Sequence, residues 1–100
     1  MANICSNEFY AESKDKGNIE YIYNYFDNIY QGNVIDLSQE EGSVESQFDS
    51  KWSFPEEEMK ELFNGLPNKD EIYMRCLSVE YGCRYVEYHE CEGEEGWYLS

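Results

Sequence analysis

Val44-Glu45-Ser46-Gln47-Phe48-Asp49-Ser50-Lys51-Trp52-Ser53-Phe54-Pro55-Glu56-Glu57-Glu58-Met59 changes its period part-way along. From Val44 to Trp52, Val44, Ser46, Phe48 and Ser50 fall on one side of an extended chain, because successive side chains of a strand point to opposite faces. Lys51-Trp52-Ser53-Phe54 reads as the strand exit, with Trp52 as a core anchor that locks it onto a following helix. Ser53 is the expected N-cap and Pro55 suits the first turn, where its missing N–H would be unpaired anyway. Glu56-Glu57-Glu58 then set negative charge at the positive end of the helix dipole. Met59, Leu62 and Phe63 form the side of this helix to be buried, and Asn64-Gly65 stop it.

Working outward from this strand and helix gives the remaining elements. Upstream, Ile4 to Glu12 favours a strand through Phe9 and Tyr10, broken by Ser13-Lys14-Asp15-Lys16-Gly17. From Asn18 to Tyr30, Ile19, Ile22, Tyr23, Phe26, Ile29 and Tyr30 recur at helical spacing, with Gly32 as the C′ residue. The opposite face carries Tyr21, Asn24, Tyr25 and Asn28, so two aromatic rings are either covered by more of the chain or left for a partner. Val34 to Leu37 is a short strand, joined through the polar Ser38 to Ser43. Downstream, Ile72 to Tyr81 alternates, with Tyr73, Arg75, Leu77, Val79 and Tyr81 against Met74, Cys76, Ser78 and Glu80. Gly82-Cys83 turns the chain, Arg84 to Cys91 returns antiparallel, Glu92 to Gly96 turns again, and Trp97-Tyr98-Leu99 is a last short strand. The order β-α-β-β-α-β with one or two added strands predicts a single α+β domain over residues 1–100. It is the split βαβ, or ferredoxin-like, arrangement of an antiparallel sheet with two helices on one face.

The chain has 100 residues with 22 acidic against 7 basic side chains, a net charge of −15. Its 17% aromatic content separates it from disordered acidic chains, which are poor in aromatics. Such a charge repels phosphate backbones and anionic lipid heads, which argues against direct binding of nucleic acid or membranes. No run approaches the roughly 18 apolar residues of a membrane span, and the start lacks a basic region followed by an apolar one, so a soluble cytoplasmic protein is expected.

Three stretches carry a family likeness: Met1-Ala2-Asn3-Ile4-Cys5-Ser6-Asn7, the exit Phe48-Asp49-Ser50-Lys51-Trp52-Ser53-Phe54-Pro55, and the aromatic hairpin around Glu80-Tyr81-Gly82-Cys83. Together they resemble the YubB ferredoxin-like domain proteins of phages and plasmids, over nearly the whole chain. The resemblance implies an accessory protein of a mobile genetic element. It brings no established activity and no catalytic residues, and the acidity here is heavier than the fold requires.

Chemistry is thinly represented. No GxGxxG, GxxxxGKS or HExxH segment occurs. His89 is the only histidine, and it could pair with Cys76 or Cys91, but no third orienting group is identifiable. Cys5, Cys76, Cys83 and Cys91 form neither a CxxC nor a CxxxxC pair, so reduced, mostly buried thiols are expected rather than a zinc site or disulfides. The reading is a non-enzymatic protein without cofactor or metal, a monomer or homodimer. Its partner would be a basic nucleic-acid-binding protein such as a host nuclease, whose Lys- and Arg-lined groove carboxylates can occupy. Anti-CRISPR inhibition by nucleic-acid mimicry is the concrete form. A self-associating structural or regulatory module is the alternative. The candidate contacts are Glu56, Glu57, Glu58 and Glu61 on the second helix, Glu40 and Glu41 before the third strand, and Glu92, Glu94 and Glu95 in the terminal turn. Tyr21 and Tyr25 are the candidate aromatic anchors.

Neither a chelator nor a reductant should move the melting midpoint by more than a few degrees. A fall of about 10 °C, more than a 1 kcal/mol loss produces in a domain this size, would reveal a structural metal or disulfide.

Overall fold

The computed structural model describes residues 4–82 and 84–100. Its elements are β1 (Ile4–Glu12), α1 (Lys16–Asn24) continued by a π-helical turn (Tyr25–Ile29), β2 (Val34–Glu40), β3 (Ser43–Lys51) and α2 (Glu56–Asn64). A 3-10 turn (Lys69–Glu71), β4 (Tyr73–Glu80), β5 (Tyr85–Glu92), a second 3-10 turn (Gly93–Glu95) and β6 (Trp97–Leu99) follow. The six strands form one antiparallel sheet in the order β2-β3-β1-β4-β5-β6, so the chain is α+β as expected. Met1, Ala2 and Asn3 of the family likeness, and Cys83 of the expected hairpin turn, lie outside the described residues.

Alternation along β1 decides which face is covered. Phe9 stands opposite Ser46 and Cys76, and Ala11 opposite Val44 and Met74. Phe9, Ala11, Val44, Met74 and Cys76 share one core with Ile19, Ile22 and Phe26 of the α1 segment and Met59 and Leu62 of α2, so both helices lie on the same side of the sheet. Phe63 packs against this core only partly buried. Each fully buried side chain of this size contributes about 1.5–3 kcal/mol, which outweighs the weak helix propensity of the two nine-residue helices.

The buried set of β4 is Met74, Cys76, Ser78 and Glu80, the more polar of its two alternating sets. Asn7 accounts for this choice. It is fully buried, opposite Phe48 on one side and Ser78 on the other. Its Nδ2 donates to the Phe48 carbonyl at 3.2 Å and to Ser50 Oγ at 2.9 Å, while its Oδ1 accepts from Ser78 Oγ at 2.7 Å. One side chain therefore ties three adjacent strands together where the core turns polar. A second buried amide, Asn18 of α1, fixes the loop after α2, its Nδ2 donating to the Asn68 carbonyl at 2.7 Å and its Oδ1 accepting from Asn68 N at 3.0 Å.

Four expectations need correction. The first helix does not run evenly to Tyr30 with Gly32 at C′. Tyr30 N donates to the Tyr25 carbonyl at 2.8 Å, a five-residue span that widens the turn and shifts the phase of all that follows. Ile29 consequently leaves the apolar stripe and is 45% exposed. Trp52 is no core anchor: it is 51% exposed with φ of 71°, held in a tight turn in which Ser53 N donates to the Lys51 carbonyl at 2.8 Å. Phe54 fills the anchoring role, stacked on the His89 ring at 3.7 Å and edge-on to Trp97 at 5.4 Å. Ser53 does not cap α2 either, since the N-cap position is Pro55, and Ser53 Oγ instead donates to the neighbouring Phe54 carbonyl at 3.5 Å. Finally, β2 extends to Glu40, leaving Glu41-Gly42 as the turn, with Gly42 at φ of 81°.

Replacing Asn7 by Ala should cost about 2–3 kcal/mol, because the Ser78 hydroxyl and the Phe48 carbonyl lose their buried partner. Thermal melts should show a midpoint lower by roughly 10–20 °C. Replacing Asn7 by Leu together with Ser78 by Ala should recover part of that loss, since the Ser78 hydroxyl is then no longer left buried without an acceptor.

Candidate functional site

The side of the sheet opposite the helices is covered by no element of the described chain, and its register can be read row by row. The row at one end runs Glu40, Ser43, Glu12, Tyr73, Glu92 across five strands. The next runs Ser38, Glu45, Tyr10, Arg75, Glu90, Tyr98, and the third Asp36, Gln47, Glu8, Leu77, Tyr88. Beyond them come Asp49, Ser6, Val79 and Val86, and finally Ile4 beside Lys51. Across β1, β4 and β5 the face thus grades from carboxylates through tyrosines to aliphatic side chains, with Val86 63% and Ile4 56% exposed, while β3 keeps a carboxylate, Asp49, in the aliphatic row.

Arg75 stands in the middle of this face. Its guanidinium lies over the Tyr10 ring at 4.5 Å from the centroid. The surrounding phenols are held by carboxylates: Tyr10 donates to Glu12 Oε2 at 2.9 Å and Tyr73 to Glu90 Oε2 at 2.7 Å. Burial, reinforced by the bond to Glu90, pushes the Tyr73 phenol well up from its ordinary value. A hollow of about 400 Å³ opens beside Arg75 between Glu8, Tyr10, Glu45 and Tyr88.

The candidate contacts of the sequence reading fall into separate places. Glu40 and Glu92 stand in the carboxylate row of the open face. Glu41 follows in the β2–β3 turn, and Glu94 and Glu95 lie in the 3-10 turn after β5. Glu56, Glu57, Glu58 and Glu61 are exposed on α2, in the other layer of the molecule. Tyr25 cannot be an exposed anchor. It is 2% exposed, and its hydroxyl donates to the Glu58 carbonyl at 3.1 Å, because α2 covers the flank of α1 that carries it. Tyr21 is half-buried with its hydroxyl against Gly65.

A cleft of about 770 Å³ between the π-helical turn and α2 does bring Glu58, Glu61 and Asp49 around Tyr25, Tyr30 and Ile29. Burial first, then the charges of Glu58 and Asp49, pushes the Tyr30 phenol up to about 12. Glu8, Glu12, Glu45 and Glu90 do not stand out in the sequence because they are scattered over three strands rather than grouped. The alternation of Glu8, Tyr10 and Glu12 with Phe9 and Ala11 is the available signal, since it sets both carboxylates on one face of a strand.

Cys76 and His89 face each other across β4 and β5. Burial pushes the Cys76 thiol up to about 12. Its Sγ lies 3.8 Å from Asn7 Oδ1, to which it donates. Burial also lowers the His89 imidazole, against the opposing pull of Glu87 and Glu56. Both shifts disfavour a thiolate–imidazolium pair. Cys5, Cys76 and Cys91 are free, buried thiols. Among the described residues no group of His, Cys, Asp or Glu side chains is arranged to hold a metal ion, and no helix is long and apolar enough to cross a membrane.

Comparisons with protein-family models, with curated proteins and with solved structures return no match.

His89 gives a pH test. Its folded pKa lies below the unfolded value of about 6.5, so on acidification the unfolded chain takes up the proton first. The stability tied to this group is complete above about pH 6.5 and declines as pH falls through that value. Urea midpoints of the parent and of His89→Phe, which keeps an aromatic ring against Phe54, should therefore diverge between pH 7.5 and 5, with the parent losing more.

Proposed function

We propose that the chain is a non-enzymatic acidic binding module of a mobile genetic element, of the YubB ferredoxin-like kind, that occupies the nucleic-acid groove of a basic host protein such as a nuclease. Anti-CRISPR inhibition is the concrete form. The observation that carries this reading is the open sheet face, whose end row presents Glu40, Glu12 and Glu92 on alternate strands. Adjacent strands lie about 4.8 Å apart, so these carboxylates recur at about 10 Å, close enough for their fields to add when a partner excludes water. The interleaving of β3 between β1 and β2, and of β1 between β3 and β4, supports the ferredoxin-like reading. The net charge of −15 speeds encounter with a basic groove and disfavours a second copy of the chain as the occupant.

The test is capture from host lysate at low and high salt, followed by competition with nucleic acid. A captured basic protein should be released as salt rises and displaced by its own DNA or RNA. The triple variant Glu12→Lys, Glu45→Lys, Glu92→Lys should slow association about tenfold or more at low salt while the fold persists, since exposed charges contribute little to stability. A partner that holds the triple variant as tightly as the parent, independent of salt, would reduce the acidity to a solubilising role. The parallel variant Glu57→Lys, Glu58→Lys, Glu61→Lys reports whether the helical layer takes part.

A further inference from the structure

We propose that the open sheet face binds an arginine-bearing segment of its partner. The guanidinium groups would stack on the tyrosines between β1 and β6, and an aliphatic stretch would lie against Val79, Val86 and Ile4. This rests on the reading of the chain as a binder of basic proteins and assigns the chemistry of the bound segment.

The face already performs this recognition once, on its own chain. Arg75 projects from β4 and its guanidinium carbon lies over the Tyr10 ring, 4.5 Å from the centroid, in a neighbourhood that includes Glu12 and Glu90. A guanidinium is planar and weakly hydrated, so it stacks on an aromatic face at less cost than an ammonium and keeps its edge free for carboxylates. The phenols that donate to Glu12 and Glu90 are fixed in place by those bonds, which presents their rings without further loss of freedom. Tyr88 stands on the same face one row from Arg75 and borders the hollow beside it, and Tyr98 lies in the row of Arg75 and is 40% exposed. Both rings are therefore placed to receive a second guanidinium.

The size of the face fits. Six strands of this length span roughly 700 Å², near the roughly 800 Å² that one partner contributes to a standard interface. Its grading from carboxylate to aliphatic also fixes a direction for the bound segment. Arginines would meet the Glu12 end and apolar side chains the Ile4 end, where Lys51 would repel a misplaced cation. A second copy of this chain would bring carboxylates against carboxylates over half of the area.

Deca-arginine and deca-lysine peptides serve as probes, titrated into the full chain at low salt with affinity and amide NMR shifts recorded. Deca-arginine should bind about two- to fivefold tighter than deca-lysine, the factor that one exposed cation–π contact supplies. Its shifts should lie in β1, β4, β5 and β6, and Tyr88→Leu should bring the two affinities together. The variant Glu57→Lys, Glu58→Lys should leave the ratio unchanged. Equal affinity of the two peptides in the parent, or arginine-selective shifts confined to α2, would overturn this proposal while leaving the basic-partner reading intact. If neither peptide bound, both would fall. The parent's shift map needs no variant, so a folding defect in Tyr88→Leu does not decide the outcome.

Discussion

The amide of Asn7 is the constraint on which the arrangement of the sheet depends. It sits fully buried at the junction of β3, β1 and β4, and it needs both a donor and several acceptors from its neighbours. An unpaired buried amide is costly, so any register in which Ser78 or the Phe48 carbonyl moved by one position would strand it. The aliphatic core beneath the helices supplies most of the stabilisation, but apolar contacts tolerate sliding. Asn7 does not. Its bonds also explain why the helix-covered side of β4 is the one bearing Ser78 and Glu80, leaving Tyr73, Leu77 and Val79 on the uncovered side.

Much of this fold could be read in advance. The period-two pattern of Ile4–Glu12 and the helical stripe of Ile19, Ile22 and Phe26 identified their elements, because burial of one face leaves a mark at every second or every third to fourth residue. What escaped is instructive in a particular way. Tyr25 lies on the flank of its helix, and only the approach of α2 decides that the flank is buried. The π-helical turn that begins there leaves Tyr30 against Phe48 at 4.9 Å, a contact with a distant strand that no local preference announces. Trp52 and Phe54 are both large aromatics two residues apart, and the tight turn between them exposes the first and buries the second.

The candidate surface was legible to a smaller degree. Runs such as Glu56-Glu57-Glu58 stand out in a sequence, yet on a helix they spread around the axis. Single carboxylates on separate strands are inconspicuous in a sequence, yet the sheet brings them into line. Glu12 and Glu92 come from opposite ends of the chain and are aligned only by the pairing of β1, β4 and β5. Charge patterning therefore draws attention to the helical layer, while the carboxylates of the open face line up only once the strands are paired.

Trp52 and Trp97 give the molecule a pair of optical reporters with separate assignments. The indole of Trp97 is wedged between Phe9 and Phe54 and donates to the Met59 carbonyl at 2.9 Å, so its emission follows the integrity of the helix-covered core. The indole of Trp52 stands half in solvent beyond the end of β3, on the side where Ile4 and Lys51 close the open face. A quencher dissolved in water reaches the half-exposed Trp52 more readily than the partly buried Trp97. Unfolding and surface occupancy thus write to different channels of the same spectrum, without any label attached to the chain.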